Sequence, residues 1–167
     1  MRFLVAIGVL AVSLGSAQAA DPAWQELKPA GIGFRVELPD KADIKPQEVN
    51  GKMAYSAVVA IDKSVAGADL VFLVKYAASD KTPGPETEAL LEQVVKTISD
   101  GNKLLSDKKE TIGAFPARRF AIEDADKDTT EMRDVITDKY FIQLIFLGPA
   151  GNPLGKRFLD SLALAKP

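Results

Sequence analysis

Histidine is missing from this chain, and so is cysteine. The first absence removes the commonest general acid–base group and with it the Ser-His-Asp triad. The two absences together remove the ordinary zinc, copper and haem sites. Without cysteine there are no disulfides, so packing alone must hold the fold together. An enzyme built from this sequence would have to work with carboxylates, lysine, tyrosine or serine. A surplus of one charge is lacking too: 21 basic residues stand against 23 acidic ones. That balance offers no electrostatic footprint for nucleic acid.

Long hydrophobic runs are also scarce; the one that exists lies at the start. Arg2 precedes the apolar stretch Phe3 to Leu14, and Ala17-Gln18-Ala19 places small residues at the −3 and −1 positions of a cleavage site. This pattern reads as a secretory signal peptide over residues 1–19. The run is too short to span ~30 Å of hydrocarbon, and no cysteine follows it to carry a lipid. The mature chain is expected to start at Ala20, to have no membrane span, and to reside in the periplasm or outside the cell. Loss of Arg2 with the leader leaves 20 bases against 23 acids, a net of −3. The remaining length suits one domain with a real core.

The periodicities define the elements. Residues 20–29 form an entry segment with Trp24 and Leu27 as packing anchors; residues 30–167 form the domain. Phe34, Val36 and Leu38 alternate with Arg35 and Glu37, the period of a strand with one buried face. Met53, Tyr55, Ala57, Val59 and Ile61 mark a second strand, followed by a turn from Asp62 to Gly67. Leu70 to Tyr76 is apolar on nearly both faces and is placed centrally. Pro85 opens a helix, Leu90, Leu91, Val94, Val95 and Ile98 supply its apolar stripe, and Gly101 suits the C′ position that ends it. Lys103 to Thr111 is polar and mixed, an edge strand by composition, on which Lys108, Lys109 and Glu110 would discourage edge pairing. Ala117 to Glu123 and Thr130 to Thr137 flank an acidic loop as a hairpin, and Tyr140 to Leu147 is central again. Asn152 and Pro153 open a last helix whose buried stripe is Leu154, Phe158, Leu159 and Leu162. The expected fold class is α+β: a single-domain layered sandwich, with a mostly antiparallel sheet of about seven strands and two amphipathic helices.

Four groups of residues invite a chemical reading. Ala150 to Arg157 reads A-G-N-P-L-G-K-R, close to the phosphate loop G-x-x-x-x-G-K-S/T. Such a loop points backbone N–H groups at phosphate oxygens, and Pro153 has none to give. A turn leading into a capped helix, with Lys156 and Arg157 on its wet face, is the better reading. Asp124, Asp126 and Asp128 have the D-x-D-x-D spacing of a calcium loop. The required glycine is Thr129, however, and the required glutamate is Val135. A solvated turn is preferred, with a weak calcium site as the second reading. Arg118 and Arg119 suggest an anion or partner contact. Cross-strand ion pairs also explain them, Arg119 lying opposite about Asp134 or Arg133. Alternation allows only one of the two arginines to face solvent. The other carboxylates are scattered, and none is expected in a setting that raises its pKa. Ser99, Ser106 and Ser161 lack a base, and Tyr55, Tyr76 and Tyr140 suit a core or its rim.

Three stretches carry a family resemblance: Phe34-Arg-Val-Glu-Leu-Pro, Gly113-Ala-Phe-Pro-Ala-Arg-Arg-Phe, and Phe141-Ile-Gln-Leu-Ile-Phe followed by Phe158-Leu-Asp-Ser-Leu. With the element order they resemble the PsbP-like fold over about residues 30–165. That fold is an α/β/α sandwich shared by extrinsic photosystem subunits, a Ran-binding protein and exported bacterial proteins. The resemblance implies a non-enzymatic binding or assembly module and transfers no functional residue. The sequence therefore leads to an exported module with an envelope protein as partner, no nucleic acid and no cofactor. Two alternatives stay open. One is a carrier of a small apolar ligand; the other is a hydrolase using carboxylates without histidine.

Overall fold

The computed structural model describes residues 23–39, 45–49, 55–62 and 70–165. The expected signal peptide over residues 1–19, Met53 and the expected turn beyond Asp62 lie outside the described residues. Among the described residues ten strands and two helices follow one another. They are β1 (Trp24–Leu27), β2 (Phe34–Pro39), β3 (Lys45–Val49), β4 (Tyr55–Asp62), β5 (Leu70–Ala78), α1 (Pro85–Ile98), β6 (Lys103–Ile112), β7 (Phe115–Glu123), β8 (Thr129–Ile136), β9 (Tyr140–Leu147), α2 (Pro153–Asp160) and β10 (Ala163–Leu164).

Seven strands form the main sheet in the order β3-β4-β5-β9-β8-β7-β6, every neighbouring pair antiparallel. As expected, β9 is its middle strand, buried on both faces from Ile142 to Phe146. Lys103 to Ile112 is the expected edge. The strand at Phe34 sits elsewhere: β2 belongs to a second, three-stranded sheet, β1-β2-β10. The seventh strand of the main sheet is β3, whose sequence KPQEV has no apolar alternation. Pro46 suits it to an edge, where one missing N–H leaves the ladder intact. The entry segment is itself partly strand, and Trp24 and Leu27 pack on the core as anchors.

The main sheet separates two apolar layers. On one side lie α2 and the small sheet. Phe34, Val36 and Leu38 from β2 meet Phe72 and Val74 of β5, Phe146 of β9, and Phe158 and Leu159 of α2. Phe72 is the hub of this layer. Its ring lies 5.2 Å from Phe146, 5.4 Å from Phe158 and 6.3 Å from Trp24. Tilted and edge-on ring contacts of this kind add to the ~1.5–3 kcal/mol gained by burying each large side chain. On the opposite side α1 covers a smaller cluster: Val95, Phe120, Ile122, Met132 and Ile145.

Helix α1 starts at Pro85 as expected. The Thr87 hydroxyl accepts from the Gly84 N–H (2.8 Å) and donates to the Gly84 carbonyl (2.6 Å), closing the first turn. Its buried face differs from the expected one. Thr87, Leu91 and Val95 are buried, whereas Leu90 is 40% exposed. Adjacent helical residues point about 100° apart, and the seat offered by β7 and β8 admits only one of the two leucines. Gly101, at φ 80°, turns the chain after the helix, one residue beyond the C′ position expected for it.

Candidate functional site

The acidic loop closes the β7–β8 hairpin. Asp124 accepts from the backbone N–H groups of Asp126 (2.9 Å) and Asp128 (3.0 Å) through one carboxylate oxygen. Its own N–H donates to the Asp128 carbonyl. Lys127 takes the left-handed conformation, φ 72°, at the tip. The Lys127 ammonium reaches Glu123 at 3.1 Å and holds that carboxyl below its usual range. Asp124 thus organises backbone, the role aspartate takes in turns, and a lysine supplies positive charge beside the loop. Among the described residues no three His, Cys, Asp or Glu side chains converge as metal ligands would.

The phosphate-loop lookalike is a packing device. Asn152 caps α2 by accepting from the Leu154 N–H at 2.9 Å, and the Gly151 N–H donates to Glu131 at 3.0 Å. These backbone donors are already occupied. The two flanking glycines have a steric cause instead. A Cβ on Gly155 would lie 2.4 Å from the Phe146 ring, and one on Gly148 would lie 2.6 Å from it. Glycine lets the loop and α2 approach that ring; the apparent motif follows from the fit. Lys156 and Arg157 point to solvent as expected.

Arg118 and Arg119 lie on opposite faces of β7, and both are engaged. Arg119 sits opposite Arg133 in the ladder, as one of the two expected registers has it, while Asp134 lies opposite Arg118. On the α2 side, Arg119 donates to Asp160 at the end of α2, which Lys156 also binds. Burial alone would raise the Asp160 carboxyl; the Lys156 and Arg119 hydrogen bonds outweigh it and lower it instead. Arg133 spans from Glu110 on β6 (3.0 Å) to the Leu159 carbonyl (2.9 Å). Arg157 reaches Glu37 at 3.0 Å and stacks 4.3 Å from the Trp24 ring. These contacts clamp α2 onto both sheets. On the α1 side, Arg118 grips both carboxylate oxygens of Asp107 on β6. That fork is the geometry arginine favours with a carboxylate, and it lifts the Arg118 pKa further.

Asp134, expected as a cross-strand partner of Arg119, corrects the expectation that no carboxylate sits where its pKa is raised. Asp134 is fully buried, in the midst of a row that crosses the sheet through register partners Arg118, Asp134, Gln143 and Lys75. Gln143 donates to one of its oxygens at 3.1 Å; the other has no partner. Burial pushes the carboxyl up to about 8, against smaller opposing effects of Gln143 and Lys75. At neutral pH the group is therefore mostly protonated. The signal was in the sequence: Asp134 shares its face with Met132 and Ile136, two residues either side. Alternation alone put it inside. An open groove of about 280 Å³ lies nearby, lined by Glu88, Leu91, Lys109 and Arg118 among others, but Asp134 does not line it. A raised carboxyl with no opening to a cleft is a structural group, not an acid poised on a substrate.

Among the elements whose burial is described, β6 is the most exposed. From Lys103 to Lys109 every residue is exposed, so both faces of this strand are wet. Leu104 and Leu105 are 43% and 40% exposed. The register slips between Leu104 and Ser106, leaving Leu105 as a bulge. No further strand pairs with the outer edge of β6 among the described residues.

No protein-family model matches this chain, and no curated protein matches its sequence. The fold and the β6 edge are therefore the guides to what it does. They define an antiparallel α+β sandwich whose main sheet ends in a solvated ten-residue strand.

Proposed function

We propose that the chain is an exported, non-enzymatic binding or assembly module of the PsbP-like kind, with an envelope protein as its partner. One observation carries this reading: β6, ten residues long, is wet along most of its length and displays two leucines. An unpaired strand edge is a ready template for another chain. A carrier of apolar ligands needs enclosed apolar volume. Among the described residues, Phe34, Phe72, Phe146 and Phe158 fill the space beneath α2 at 0–2% exposure. A carboxylate-dependent hydrolase needs two acids flanking a cleft. Here Asp107, Glu110 and Asp160 are each committed to an arginine.

The test is a cross-linked pull-down from envelope extract of the source cells, with residues 20–167 as bait and unfolded bait as control. A specific partner protein is expected. Folded bait that retains nothing beyond the control would overturn the proposal, and native mass spectrometry for bound lipid or metal would then follow.

A further inference from the structure

We infer that the β6 edge is a strand-addition site, and that its occupant is an extended segment of a partner protein carrying acidic side chains. This rests on the module reading above and assigns its surface. The backbone supplies the first argument. The bulge confines irregularity to the start of β6, leaving Ser106 to Ile112 in unbroken register with β7. In an antiparallel edge strand, alternate residues present N–H and C=O outward.

Charge supplies the second argument and selects the occupant. Five charged residues lie on β6: Lys103, Asp107, Lys108, Lys109 and Glu110. The two acids turn inward, Asp107 to Arg118 and Glu110 to Arg133, with side chains 24% and 14% exposed. The three lysines stand out at 68%, 75% and 64% exposure. Their ion pairs span 3.5–3.9 Å, and exposed pairs of that kind hold little. A chain with more acids than bases thus presents a basic rim along the β6 edge of its main sheet. Lysines on an edge strand discourage a second copy, whose lysines would approach the same rim. They favour an extended segment bearing glutamate or aspartate, and Leu104 and Leu105 add apolar contact at one end.

The experiment titrates the isotope-labelled chain with two short synthetic peptides, one alternating glutamate with valine and one alternating lysine with valine. Backbone amide shifts and hydrogen exchange are read residue by residue. The acidic peptide should shift and protect alternate amides within Ser106 to Ile112, and the basic peptide should not. K108E/K109E should weaken the acidic peptide about tenfold and bring in the basic one; K103Q/K108Q/K109Q serves if that variant misfolds. Equal response to both peptides, shifts confined to another surface, or outward β6 amides already protected in the free chain would each overturn the assignment. Repeating the pull-down with K108E/K109E separates the two proposals. If a partner is retained undiminished, the module reading stands and the β6 surface falls.

Discussion

The two faces of the main sheet are built on different principles. Beneath α2, aromatic rings meet on all sides, two glycines give way to the Phe146 ring, and charged residues act at the rim as clamps. Beneath α1, the apolar cluster is smaller and shares the sheet with a buried polar row. Dense apolar packing gains energy at any pH, whereas a buried ionisable group ties stability to its proton. The α2 face therefore anchors the fold and is pH-sensitive only toward acid, through the lowered Asp160 carboxyl, whereas the α1 face loses stability as pH rises, through Asp134.

Truncation is the strongest way to break that contrast. Phe158→Ala should cost about 3–5 kcal/mol, read from urea unfolding. On the opposite face, Val95→Ala should cost only about 1–3 kcal/mol. Equal losses would show the two layers to be equally tight.

Titration comes next. The Asp134 carboxyl is raised from 3.8 to about 8 by folding. The folded state therefore binds the proton more tightly than the unfolded state does. Its contribution is full below about pH 4, declines on the order of 1 kcal/mol per pH unit as pH rises toward 8, and is absent above. Asp134→Asn should remove that slope and leave the variant more stable than the parent at pH 9. Parallel pH profiles for the two proteins would refute the α1 face as the side that loses stability as pH rises.

The smallest effect is expected at Leu90. It is largely exposed, so Leu90→Glu should change stability by no more than about 0.5 kcal/mol, whereas Leu91→Glu should prevent folding by putting a charge beneath α1. A large loss at Leu90 in thermal unfolding would mean that the helix turns its other leucine inward.

Much of this architecture was legible because local periodicity is set by local sterics. Alternation at β2, the runs apolar on both faces at β5 and β9, the acidic loop between β7 and β8, and the helix signals Pro85, Asn152 and Pro153 each located an element within a residue or two. The missed elements lacked that signal. Strand β3 is polar and contains a proline, and β10 has two residues, held by β2 rather than by any pattern of its own. The site was less legible for a related reason. The Asp124 turn is accounted for locally and the edge character of β6 by its composition, but the glycines that meet the Phe146 ring and the exposure of both faces of β6 depend on how separate elements pack.

By itself the sequence determined the α+β class, the central place of β5 and β9, the edge character of β6 and the absence of histidine and thiol chemistry. Each depends on residue type or on short-range spacing. Tertiary structure alone decided that β2 leaves the main sheet and that Leu91 rather than Leu90 is buried. It also decided that Arg118 takes Asp107 and Arg119 takes Asp160 as partner, and that one oxygen of the buried Asp134 carboxyl has none. Those outcomes depend on which surfaces meet across many residues, and no local pattern carries that information.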